Sequence, residues 1–154
     1  MSYQHLSPPL QRCFAFCSLF PKGHLFEHNH LVNLWIAEGF IETEDSNEHM
    51  KDIGNRYILE LISSSFFQVG HNWDGKYYSM HDLIHDLAQD VSEGEYFRIE
   101  SGEKKEIPAH TRHIYVENSM LREYGEKMWK LKDLRTIISV PYWDPDVFLE
   151  RRGP

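Results

Sequence analysis

The sequence predicts an α+β fold, mainly α: three helices, a two-stranded hairpin and a fourth helix, then a shorter strand-forming stretch. Three observations lead there. Apolar residues recur at helical spacing in four segments, with capping and breaking residues between them. Two aromatic-rich runs flank Asn72-Trp73-Asp74-Gly75, and Asp-Gly between such runs marks a hairpin. After Gly94 the helical pattern gives way to short β-branched runs around Ile114 and Ile137.

Ser7-Pro8-Pro9 starts the first helix, a capping residue followed by prolines at positions where a missing N–H costs nothing. Leu10, Cys13, Phe14, Cys17 and Phe20 form its inner face, and Pro21 ends it before a loop at Lys22-Gly23. A second helix carries Leu31, Leu34, Trp35 and Ala37 and closes at Gly39, with Phe40-Ile41 packing after it. Residues 42–47 read as an acidic loop, and Asn47 as the cap of a third helix with Met50, Ile53, Tyr57, Ile58, Leu61 and Ile62 inward. Ser63-Ser64-Ser65 ends it. Phe66–Val69 and Lys76–Ser79 are the predicted strands, and Trp35, Phe14, Tyr77 and Tyr78 are predicted core. Three helices with a two-stranded wing is a winged-helix arrangement.

The fourth helix is predicted to begin at Ser79, with Asp82 completing a capping box. At about 100° per residue, Met80, Leu83, Ile84, Leu87, Ala88 and Val91 share one face, with His81 and His85 at its border. His81 then lies in the first turn, beside free backbone N–H groups and the positive end of the helix dipole, a place that attracts anions. The competing reading is that His81 merely packs at the edge of an amphipathic helix.

Beyond Gly94, Glu95–Ile99 reads as strand or linker, residues 101–108 as exposed charged sequence, Arg112–Val116 as a strand, and Leu131–Val140 as carrying another. Ile114 and Ile137 lie 23 residues apart, within the period of a leucine-rich repeat. The predicted boundaries are therefore a winged-helix domain over 1–94, a linker over 95–109 and the start of a leucine-rich repeat domain over 110–154. The last fourteen residues give no usable pattern.

The 154 residues carry a net charge of −8, which argues against nucleic acid as the main partner. Cys13 and Cys17, four apart, read as small buried side chains and fit a reducing, intracellular setting. No apolar run is long enough to cross a bilayer and no basic-then-apolar leader opens the chain. The sequence reads as a piece of a longer protein.

Three blocks, Cys13-Phe14-Ala15-Phe16-Cys17-Ser18-Leu19-Phe20-Pro21, Leu34-Trp35-Ile36-Ala37-Glu38-Gly39-Phe40-Ile41 and Met80-His81-Asp82-Leu83-Ile84-His85-Asp86-Leu87-Ala88, stand in that order. Together they resemble the plant intracellular immune receptors that join an NB-ARC nucleotide-binding module to leucine-rich repeats, in the coiled-coil branch. The resemblance covers residues 3–93 well and 110–140 more weakly. It implies that the winged helix ends the NB-ARC module and that His81, in a Met-His-Asp motif, reaches the β-phosphate of ADP and holds the receptor off. Met80 and Asp82 are implied to support it, and capping by Asp82 would hold His81 in place. ADP or ATP would be the cofactor of the full-length parent. The implied partners are its own nucleotide-binding and leucine-rich repeat domains, with an oligomer on activation left open. The implied location is intracellular, nuclear or membrane association of the parent being left open. No phosphate loop occurs in these residues, so the piece itself is expected neither to be an enzyme nor to hold nucleotide tightly. Pathogen specificity is not legible.

Three rivals stand beside this reading. His81-x-x-x-His85, with His24, His28, Cys13 and Cys17, suggests zinc, but the glutamate base and a third ligand at a recognisable spacing are missing. A winged helix can bind DNA, yet the segment in the recognition position, Asn47–Ser64, is slightly acidic, and at the wing tip His71, Trp73 and Lys76 are opposed by Asp74. The third is a purely structural interaction module.

Overall fold

The protein, in a computed structural model, is described over residues 3–43 and 49–141. It divides into two compact units, residues 1–93 and 94–154. The first holds α1 (Pro8–Phe16), β1 (Phe26–Glu27), α2 (His28–Ala37), α3 (Met50–Ser63), β2 (Gln68–Asn72), β3 (Gly75–Ser79) and α4 (Asp82–Val91). The predicted order of helices and hairpin is present.

Local chemistry sets each boundary. Ser7 stands at the N-cap of α1 with Pro8 and Pro9 behind it, but its hydroxyl makes no cap bond. One of the two amides it would serve is missing at Pro9. α1 tightens into a 3₁₀ turn, Cys17–Leu19, before Pro21. α2 opens on the Glu27 carboxylate, which accepts the His30 N–H at 2.7 Å. It closes in a Schellman motif: Gly39 is left-handed (φ +77°), its N–H bonds Ile36 O at 3.0 Å, and Phe40 N–H bonds Trp35 O at 3.1 Å. α3 ends in the same motif around Ser65 (φ +63°), with Phe66 N–H on Leu61 O at 2.9 Å and Ser65 N–H on Ile62 O at 3.0 Å.

That second motif corrects the predicted strand. Phe66 and Phe67 belong to the turn and are buried, and β2 begins only at Gln68. The hairpin loop is Trp73-Asp74, with Asn72 opposite Gly75. The Asn72 side-chain oxygen accepts the Asp74 N–H at 2.8 Å, an Asx turn. β1, two residues long and too short to show alternation, adds a third strand in the order β1-β3-β2. Tyr78 is buried while Tyr77, expected in the core with it, is half-buried, because neighbours on a strand point to opposite faces.

The core sits among α1, the 3₁₀ turn, α2 and α3. Trp35, Phe14, Phe16, Leu10, Leu19, Leu31, Ile58 and Leu61 are fully buried. Aromatic rings continue it toward the sheet: Phe16 meets Phe20, Phe20 meets Phe26, Phe26 meets Phe67, and Phe67 stacks on Tyr78 with centroids 6.0 Å apart. On α3, Ile53, Ile58 and Leu61 are buried as expected, and Tyr57 and Ile62 are half-buried. Met50 is 45% exposed instead: at the first helical position its side chain leans back past the helix end. His49 is the N-cap of α3, and Asn47, the predicted cap, lies outside the described residues.

The second unit is a parallel sheet, β4 (Tyr96–Ile99), β5 (His113–Glu117) and β6 (Thr136–Val140), with α5 (Leu121–Trp129) between the last two strands. The predicted linker over 95–109 thus contains a strand. Ile114 and Ile137, singled out by their spacing, are direct register partners. Ile99, Ile114 and Val116 pack with Met120, Tyr124 and Met128 into one core. The Tyr124 hydroxyl donates to Lys105 O and accepts from Lys105 N–H, each at 3.2 Å, which pins the charged 101–108 segment.

Candidate functional site

The candidate site is the junction where β3 runs into α4 with almost no connection. Ser79 does not cap α4; it is the last residue of β3, its backbone committed to the hairpin opposite Gln68. The cap is His81 itself. Its backbone is extended (φ −57°, ψ 150°), and its ring Nδ1 accepts the Leu83 N–H at 3.2 Å. An imidazole that spends its Nδ1 lone pair this way is the tautomer with its proton on Nε2. The ring is exposed, so it presents an N–H donor to solvent at the positive end of a ten-residue helix.

The neighbours take different parts from those predicted. Asp82 is not the cap but the first helical residue, exposed, where its charge complements the helix dipole. Met80 is buried and anchors the strand–helix junction. Leu83, predicted on the inner face, is 71% exposed, and His85, predicted at the border, is 1% exposed. The buried face of α4 is rotated toward His85 and Ala88, leaving Ile84, Leu87 and Val91 half-buried. The reason is polar: His85 donates Nε2–H to the carbonyl of Phe20 at 2.6 Å, which satisfies a buried acceptor that no leucine can serve. A histidine inside an apolar pattern was the one available signal of this bond.

The other histidines and cysteines do not assemble into a metal centre. Among the described residues, no three His, Cys, Asp or Glu side chains gather as a metal-binding group. Cys13 and Cys17 are buried free thiols, both pushed up by burial, and Cys17 Sγ donates to Cys13 O at 3.4 Å. His28 is tied at both nitrogens, Nε2–H donating to Asn55 Oδ1 at 2.6 Å and Nδ1 accepting from Tyr78 OH at 2.8 Å. It joins α2, α3 and β3, a structural role that sequence reasoning missed. On α3, the exposed residues Lys51, Asp52, Arg56 and Glu60 mix signs and form no basic stripe.

His24 is wedged between the rings of Phe20 and Phe26, 4.6 Å from each. Burial, then the nearby charge of His30, lowers its pKa to about 4. It is neutral in the folded protein and titrates near 6.5 when unfolded. Its contribution to stability is therefore complete above pH 6.5 and is lost as pH falls from 6.5 through 4. A urea midpoint series over that range is expected to slope less in His24→Phe than in the parent; equal slopes would refute the wedge.

Residues 19–88 match the family described as Disease resistance protein Winged helix domain. Residues 19–88 form a winged helix domain of the disease-resistance kind. The disease-resistance winged helix here is similar to a disease resistance protein of Arabidopsis thaliana, At3g14460, with 44% identity over 119 residues, 77% of this chain and 8% of that protein. It is similar to disease resistance RPP13-like protein 1 of the same plant, 41% identical over 145 residues, 90% of this chain and 13% of the relative. It is also similar to disease resistance protein RGA2 of Solanum bulbocastanum, 45% identical over 89 residues, 57% of this chain and 9% of the relative. The chain thus spans 8–13% of the length of these relatives. Among the described residues, no helix of the winged-helix unit or of the parallel-sheet unit is long and apolar enough to cross a membrane.

Proposed function

We propose that this chain is the nucleotide-sensing end of a plant intracellular immune receptor, in which His81 contacts the phosphate of ADP bound by a neighbouring NB-ARC domain and so holds the receptor in its off state. One observation carries the reading: the exposed His81 ring, locked by the Leu83 amide, offers Nε2–H at the mouth of α4. A phosphate oxygen there meets that donor and a favourable helix dipole together. The match of residues 19–88 to the disease-resistance winged helix supports the receptor setting. The parallel pairing of Ile114 with Ile137 supports reading the second unit as the first turns of a leucine-rich repeat domain. α4 would then pass nucleotide state from the phosphate toward the repeats.

In the full-length receptor, His81→Ala is expected to release ADP about ten- to a hundredfold faster, the worth of one charge-assisted hydrogen bond. Residual nucleotide after purification and the dissociation rate of labelled ADP measure it. A variant that keeps ADP as tightly as its parent would refute the phosphate contact.

A further inference from the structure

α4 carries a second histidine one turn beyond His81, and the phosphate reading gives it no part. His85 is 1% exposed and, with Ala88, is one of the two fully buried helix positions. Its Nε2–H donates to Phe20 O at 2.6 Å, where the 3₁₀ turn ends and Pro21 follows. Asp86 reaches the same stretch, pairing with Lys22 at 2.8 Å, and that pair lowers the Asp86 carboxyl. Both side chains of the pair are half exposed, so water screens it and it directs little. The buried bond is directional and fixes both the rotation of α4 about its axis and its position along it.

We infer that His85 is a positioning residue for His81: its bond to Phe20 holds the first turn of α4 in the register that keeps the His81–Leu83 cap intact and the His81 ring outward. This rests on the phosphate-contact reading of His81. The His85 N–H bonds the His81 carbonyl at 2.9 Å, so what fixes 85 also fixes the backbone at 81. The competing register follows from the apolar pattern. Leu83 is 71% exposed, and on apolar spacing alone it belongs inside. Rotation that buried Leu83 would turn His85 away from Phe20, and its own amide would no longer meet the His81 ring. The buried carbonyl's need for a donor is what opposes that rotation.

The test compares His85→Leu, His85→Gln and His81→Ala. Glutamine places an N–H close to the position of the lost Nε2; leucine fills space without a donor. Amide hydrogen exchange in this 154-residue chain reads Leu83 against Ile58 and Leu61 of α3, and ADP dissociation is read in the full-length receptor. His85→Leu is expected to unprotect the Leu83 amide while Ile58 and Leu61 stay protected, and to release ADP about tenfold faster; His85→Gln is expected to restore both. If His81→Ala sheds ADP and His85→Leu does not, the positioning role is wrong and the phosphate contact stands. If His81→Ala keeps ADP, the phosphate contact is wrong, and unchanged Leu83 protection in His85→Leu would end the positioning role as well. If Ile58 and Leu61 lose protection together with Leu83 and glutamine restores nothing, His85 is a core residue only and the inference is overturned.

Discussion

Trp35→Ala is expected to lower the unfolding free energy of the winged-helix unit by about 3–5 kcal/mol, the range for truncating a buried aromatic. Trp35 has no exposed surface, and its indole lies beside the Cys17 thiol, so the cavity would open between α2 and the end of α1. Its carbonyl also accepts the Phe40 N–H in the motif that ends α2, so collapse of the surroundings into the space is resisted by a fixed backbone turn. Domains of this size are stable by about 5–15 kcal/mol, so the loss removes a large share of the total. Urea unfolding followed by far-ultraviolet circular dichroism measures it. A change below about 1 kcal/mol, smaller than any core truncation of this kind, would contradict the full burial of Trp35 in the core.

Gly54→Val is expected to cost about 3 kcal/mol, the upper end for overpacked cores. A Cβ on Gly54 would lie 2.6 Å from Val32 Cγ1 and 3.2 Å from Ile41 Cδ1. Val32 is β-branched and held on α2, so it cannot swing aside as a long flexible chain can. Helix propensity favours almost any residue over glycine in the middle of α3, by about 1 kcal/mol for alanine. Gly54→Ala therefore sets that gain against the clash and is expected to be the milder of the two changes. The same urea titration distinguishes them, and a valine variant as stable as the parent would mean α2 and α3 do not approach this closely.

Much of this was legible from sequence where one residue type dictates one backbone state. Pro8-Pro9, Gly39 and Asp74-Gly75 located helix starts, a helix end and the hairpin because their conformational limits are local. Ser65 shows the limit of that logic: a serine takes the left-handed position usually given to glycine, so Phe66-Phe67 read as strand when they are part of a cap. β1 and α5 were missed for different reasons. β1 has two residues and exists only through its pairing with β3. α5 spreads its inner residues thinly, Tyr124 and Met128, among Arg122, Glu123, Glu126 and Lys127. His81 is singled out by its place in the chain, yet its bond to Leu83 is not foreseen, because a histidine is rarely the residue expected to cap a helix. His85 was misplaced because apolar counting carries no information about a carbonyl 65 residues away that needs a donor.

The cap at His81 also decides what kind of visitor the ring can greet. Metal ions bind imidazole through a lone pair, and the neutral ring has one, already engaged by the Leu83 amide. A cation would have to break the helix start before it could settle, whereas an anion can meet the Nε2–H with the cap intact. If His81 meets a phosphate as proposed, the way this helix begins would itself favour negatively charged guests over cations.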